Sequence, residues 1–271
     1  SGDANYTPVL NTRAMAVNNK KGFFLYIRGD RSVAPGTAVP GNVTTLRAKG
    51  KLFVGNGGAD QPPPVTGAAG NWISVGNPFA SAIDFTMLRS GATNINNEFK
   101  VWDPSLTGAY GLGGYQTVSG VTGFIATPGS STLYSSGIDY RAIQSGQAFY
   151  VQGSGAANIV FAESMKVGGS RLVNRGANTA IDPASIPMLS TLLYSNDGKI
   201  ADGNRVVFGR IYANDIDEDD AQKLQNGGEN FGIKRLGKSL SVEARGLIAE
   251  RDTVYYDMSN LAAQTYKINF A

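Results

Sequence analysis

Apolar residues along the chain recur at every second position or in short runs, and Gly, Pro, Asn and Asp punctuate them, which is the rhythm of strands and turns. In "GFFLYIRGDRSV", Phe23, Leu25 and Ile27 alternate with Phe24, Tyr26 and Arg28, predicting a buried strand with two largely apolar faces that closes at Arg28-Gly29-Asp30. "TTLRAKGKLFVGNGG" predicts two strands around a turn at Gly50, the second over Lys51 to Val54. Pro62, Pro63 and Pro64 have no N–H for a ladder and predict an exposed loop. Trp72, Ile73 and Val75 form a short buried strand that Gly76-Asn77-Pro78 ends, and Ser81 to Asp84 opens a single helical turn. Another strand ends at Trp102 before an Asp103-Pro104 turn, and a loop rich in Gly and Tyr returns through Tyr115 to Val118. "IQSGQAFYVQGSG" and "NIVFAES" read as a hairpin joined by Gly-Ser-Gly.

Past Glu163 charges become commoner, and "NRVVFGRIYA", "KSLSVEARG", "DTVYYDMS" and "TYKINFA" are further strands. In "KSLSVEARG", Leu240, Val242 and Ala244 should point inward and Ser239, Ser241, Glu243 and Arg245 outward. "DEDDAQKLQN" predicts one short helix, with Asp217 to Asp220 at its positive end and Asn226-Gly227-Gly228 as its stop. The expected fold is all-β: two tandem antiparallel β-sandwich domains of jelly-roll or Ig-like type, residues 1–165 and 166–271, with the short helix in the second.

Composition supports that class, since 42% of residues are hydrophobic, only 17% are charged, and 35 glycines and 11 prolines suit tight turns. A net charge of +3 is too small a field to gather nucleic acid or an anionic membrane, and no apolar run is long enough to predict membrane insertion. The chain opens with "SGDANYTP", without Met or a signal-peptide pattern, and reads as an excised or processed piece. There is no Cys and no His, which removes disulfides, thiolate nucleophiles and the commonest general base and zinc ligand.

Little catalytic chemistry is left. Asp84, Asp103 and Asp139 lie near turns, but nothing in their spacing brings them together as an acid pair, and each suits a capping or turn role. Gly111, Gly113 and Gly114 lack the Lys-Ser/Thr and helix of a phosphate loop. Trp72 and Trp102 are core residues or a sugar-stacking platform; Tyr110 and Tyr115, in the glycine-rich loop, are the better candidates for ligand contact. Asp215, Asp217 and Asp219, with Glu218 and Asp220 beside them, offer oxygens to calcium, as do Asn196, Asp197 and Asp202, although the spacing is not that of an EF-hand. No other cofactor is expected.

The blocks "NNKKGFFLYIRGDRS", "TTLRAKGKL", "NWISVGNPFASAIDF", "VWDP" with "GAYGLGGY", "IQSGQAFYVQ" and "IVFAES" follow one another in an order that resembles large secreted and cell-surface, adhesin-like proteins of the Bacteroidetes. "DGNRVVFG", "NDIDEDDAQKL" and "ENFGIKRLGKSLSVEARG" are similar to the β-rich region that there precedes a C-terminal sorting domain for type IX secretion. The resemblance implies an extracellular or outer-surface location and no catalytic activity; the sorting domain itself is absent after Ala271. It also implies that Arg28 and Asp30 fix a strand exit rather than bind an integrin, and that Phe79 and Asp84-Phe85, which depart from the family pattern, serve packing. The expected function is that of a structural or adhesive module contacting other copies or other surface proteins, with Tyr266, Ile268 and Phe270 of the last strand adding to a neighbouring sheet. The alternative is a carbohydrate-binding module that presents exposed aromatics to glycans.

Overall fold

The computed structural model describes residues 11, 16–17, 20–25, 32, 34, 49–55, 63–131, 133–134, 139–168, 187–262 and 265–271. The protein is predominantly β, and each of its two large sheets takes its strands from one half of the chain. The expected turn at Arg28-Gly29-Asp30 lies outside the described residues.

The N-terminal half contains β1 (Val65–Gly67), β2 (Trp72–Gly76), β3 (Ile83–Asp84), α1 (Phe85–Gly91), β4 (Thr93–Ile95), β5 (Glu98–Asp103), β6 (Gly114–Ser119), β7 (Ala126–Thr127), β8 (Ala142–Ile143) and β9 (Ala148–Ile159). Its axis is β9. Asn158 faces both Thr66 and Thr93, and Tyr150 faces both Ser74 and Lys100, so β1 and β2 run along one side of β9 and β4 and β5 along the other. The expected hairpin at Gly153-Ser154-Gly155 is therefore one continuous strand. Glycine serves close approach here: a Cβ on Gly153 would sit 2.5 Å from the Ala68 carbonyl oxygen, and the Gly153 backbone bonds to Gly70 and Asn71 in the turn joining β1 to β2.

The helix begins after Ser81 to Asp84 rather than within it, since Ile83–Asp84 is β3; Asp84 caps α1 as expected, its carboxylate accepting the N–H of Thr86 at 2.7 Å and of Met87 at 3.3 Å. Phe85 and Leu88 then turn into a core that includes Phe79, Phe99, Phe149 and Phe161. Phe85 and Phe99 meet at 4.7 Å in a tilted arrangement, and Phe79 meets Phe53 at 4.9 Å, so Phe79 and Phe85 both pack. Over their described residues two expected strands are not formed, and residues 26 to 28 of the first lie outside those residues. Lys51 to Val54 is irregular and inserts only Phe53 into the core; Gly22 to Leu25 is also irregular, with Phe23, Phe24 and Leu25 more than half exposed. Neither segment joins the ladder of a named strand.

The C-terminal half contains β10 (Met188–Ser195), β11 (Ile200–Phe208), β12 (Ala221–Gln222), β13 (Asn230–Arg235), β14 (Lys238–Arg245), β15 (Tyr256–Ser259) and β16 (Tyr266–Phe270). Their order is β15-β13-β14-β11-β10-β16, with β12 on β14. The sheet is mixed rather than antiparallel throughout, because β11 and β14 run parallel. From Leu240 to Arg245 both faces of β14 are buried, not only the predicted one, and Glu243 has Arg235 at 3.5 Å and Arg245 at 4.0 Å for partners.

The predicted helix over "DEDDAQKLQN" does not form, and the single α-helix among the described residues is α1, in the other half. Tertiary partners explain the difference. The buried Asp220 carboxylate accepts the N–H of Ala244 and of Asp217, each at 3.0 Å, and the Lys223 N–H bonds to the Ser239 carbonyl at 2.9 Å, which draws the segment onto β14 as β12.

Although β15 and β16 end the strand order, the Tyr256 ring lies 6.2 Å from Phe270 and its hydroxyl meets Thr191 Oγ1 at 3.0 Å. The sheet curls so that Tyr256 and Tyr266 both pack against Leu193, Ala201 and Phe231, without a ladder between β15 and β16. The two halves also pack on one another. Val121 joins Val207, Ala221, Val242 and Ala244, while the Gln152 side chain donates to Gln222 Oε1 at 3.0 Å and the Tyr115 N–H to Asn226 Oδ1 at 2.8 Å.

Candidate functional site

The terminal strand β16 pairs with β10 and with no other described strand. Ser190 and Ala271 exchange both backbone hydrogen bonds, at 2.8 and 2.9 Å. Alternation in an antiparallel ladder then turns the backbone of Asn269 and Lys267 towards Leu192 and Tyr194. The N–H and C=O of Ile268 and Phe270 consequently point to the open side of the sheet. Their side chains are 39% and 57% exposed, a large apolar presentation for a five-residue strand.

Tyr266 has a different task. Its hydroxyl donates to Glu229 Oε1 at 3.0 Å and accepts the Ala262 N–H at 2.8 Å, and its ring packs against the cluster of Leu193, Ala201 and Phe231. Of the three predicted assembly residues, Tyr266 thus anchors the strand, and Ile268 and Phe270 are the ones displayed.

The predicted ligand tyrosines separate. Tyr110 is exposed in a turn against Gly228. Tyr115 is on β6 rather than in the loop and is buried, its ring 5.0 Å from Trp102 and 5.7 Å from Tyr150, so packing takes the face that a sugar would need. Trp102 and Trp72 are half-buried; the Lys100 ammonium lies 5.4 Å from the Trp72 ring.

The acidic run is divided in the same way. Asp215 and Asp217 are exposed, Asp219 is half-buried and gives its N–H to Asp217 Oδ1, and Asp220 turns inward. Asp197 lies in the exposed β10–β11 hairpin, where hydrogen bonds from Lys199 and Ser195 pull its carboxyl down to about 2. Asp202 is fully buried against Lys223 at 2.5 Å and the Phe231 N–H at 2.6 Å. Among the described residues no three acidic groups converge on a metal position.

The three acids weighed for catalysis each have a structural partner. Asp84 caps α1; the buried Asp103 accepts from Ser105, Gln116 and Ser131; Asp139 pairs with Arg141.

Sequence reasoning missed the buried charges. Glu98 and Lys100 form an ion pair on one face of β5, and Asp202 with Lys223 forms a second close enough to influence Lys100. Burial pushes the Glu98 carboxyl up and the Lys100 ammonium down, each opposed by its partner. The available signal was the two-residue spacing of Glu98 and Lys100 around Phe99 and Val101, which puts both charges on one face of the strand. Comparison with protein-family models, with curated proteins and with solved structures found no match.

Proposed function

We propose that this chain is a non-catalytic structural module of an exported bacterial surface protein, and that it works by β-strand addition between copies at the open side of β16. One observation carries the reading: Ile268 and Phe270 turn their backbone hydrogen-bonding groups outward from the last strand of a sheet, and both residues are exposed and apolar. The extracellular or outer-surface location rests on the resemblance of the ordered sequence blocks to Bacteroidetes adhesin-like proteins.

An antiparallel pair of β16 strands centred on Ile268 is self-complementary. Ile268 of each copy exchanges both backbone bonds with its counterpart, and Phe270 lies across from the Tyr266 ring of the second copy. Lys267 then faces Asn269, so this register avoids the like-charge contact that Lys267 would impose on a register centred one residue earlier. The contact is small, and a weak association strengthened by many copies on one surface fits it.

Light scattering over a wide concentration range tests the proposal. Ile268→Pro removes an N–H that β10 does not use and blocks the open side; Phe270→Lys places charge on it. The wild type should shift towards dimer mass at high concentration, while both variants remain monomeric with a melting temperature close to wild type. A wild type that stays monomeric throughout, or a dimer that persists in both variants, rejects the reading.

A further inference from the structure

Nearly every buried charge here has an evident partner: Glu98 has Lys100, Asp202 has Lys223, Glu243 has Arg235, and Asp220 has backbone N–H groups. Arg205 does not. Its side chain is 4% exposed, its Nε donates to Ser190 Oγ at 3.0 Å, and its buried Nη1 has no partner. A guanidinium keeps its proton under all ordinary conditions, so burial without a counter-charge is a large uncompensated cost. Burial alone pulls its pKa down to about 10, with no carboxylate acting on it.

The location narrows what the missing charge is. Arg205 shares a face of β11 with Gly203 and Val207. Pro128 packs on Gly203, where an added Cβ would be 2.7 Å from the proline Cβ, and Val121 packs on Val207. Residues 121 to 128 of the N-terminal half thus pack on both neighbours of Arg205 along that face, and Thr127, next to Pro128, has a buried hydroxyl without a partner. A buried cation on β11 and an idle hydroxyl donor on β7 thus belong to two strands that lie against one another.

We infer that this seam binds a small monovalent anion, of halide or nitrate type, between Arg205 and Thr127, and that the anion helps hold the two halves together. One negative charge neutralises the guanidinium; a divalent anion would leave a buried excess. The site is independent of β16 and does not rest on strand addition.

Bromide is the probe. Thermal and urea unfolding of the full chain are followed at fixed ionic strength as sodium gluconate is exchanged for sodium bromide. The expected result is a saturable stabilisation in which, above the dissociation constant, each tenfold rise in bromide raises the folded-to-unfolded ratio about tenfold. Arg205→Met should abolish that dependence while still folding in gluconate, because removal of a buried unpaired charge is tolerated. If Arg205→Met does not fold, anomalous diffraction from wild-type crystals soaked in bromide decides: a peak within hydrogen-bonding distance of Arg205 supports the site. Coincident bromide and gluconate curves, a variant that keeps the bromide response, or no anomalous peak at Arg205 (ordered water instead) overturns it.

Discussion

Asp220 illustrates how one side chain can serve the fold and still oppose it electrostatically. Its oxygens accept two backbone N–H groups, yet burial pushes its pKa from 3.8 up to about 6. Because the folded state holds the proton more tightly, this carboxyl lowers stability above pH 6, and the deficit is relieved as pH falls from 6 towards 3.8. Urea unfolding from pH 7.5 to 5 should show wild-type stability rising as pH falls, and a flatter profile in Asp220→Asn; equal slopes would remove Asp220 as the source. Asp197 acts with the opposite sign, its contribution being lost as pH falls from 3.8 through about 2. Legibility at this scale followed local chemistry. The Asp84 cap was readable because the N–H donors it accepts from lie within three residues, whereas the inward turn of Asp220 depends on β14, and the burial of Tyr115 depends on Trp102 and Tyr150 from other strands.

At the scale of elements, glycine was the residue most easily misread. Gly-Ser-Gly between apolar runs is a hairpin signal by local rules, but Gly153 and Gly155 are interior to β9 because other chain segments approach them. The two differ in tolerance. A Cβ on Gly153 meets the rigid Ala68 carbonyl at 2.5 Å, whereas one on Gly155 meets the Asn94 side chain at 3.0 Å, which can move. Gly153→Ala should therefore destabilise the protein by roughly 1–3 kcal/mol, and Gly155→Ala by clearly less, measured by denaturant midpoint. Equal losses would mean that the β1–β2 turn does not depend on this approach. The failed helix at Asp217 to Asn226 has the same origin: a favourable dipole is worth less than ladder bonds to β14. What the sequence did show was the existence of the strong strands, including β2, β11, β14 and β16, although burial on β14 extends to the face expected to be polar.

Across the whole molecule, Glu229 links the seam between the halves to the open strand. One oxygen, Oε1, accepts the Ala109 N–H from the N-terminal half at 2.8 Å and the Tyr266 hydroxyl of β16 at 3.0 Å. Gly108 lies so close that a side chain there would collide with the same carboxylate, and its N–H bonds to the Ile200 carbonyl at 3.0 Å. Docking of the halves and seating of the terminal strand therefore share an acceptor, and loss of that acceptor should loosen both. Glu229→Ala leaves two donors unpaired, while Glu229→Gln keeps an amide oxygen for them. Hydrogen exchange reads the outcome at named sites: in Glu229→Ala the amides of Ala109, Lys267 and Asn269 should exchange at least about tenfold faster, as expected when roughly 1.4 kcal/mol of local protection is lost, with Glu229→Gln nearer to wild type. The comparison has to be made at concentrations where the chain is monomeric, since strand addition would itself protect β16. If Ala109 speeds up and β16 does not, the seam and the assembly edge are independent; if none of the three changes, the shared acceptor contributes nothing to either, and the strand is held by β10 alone.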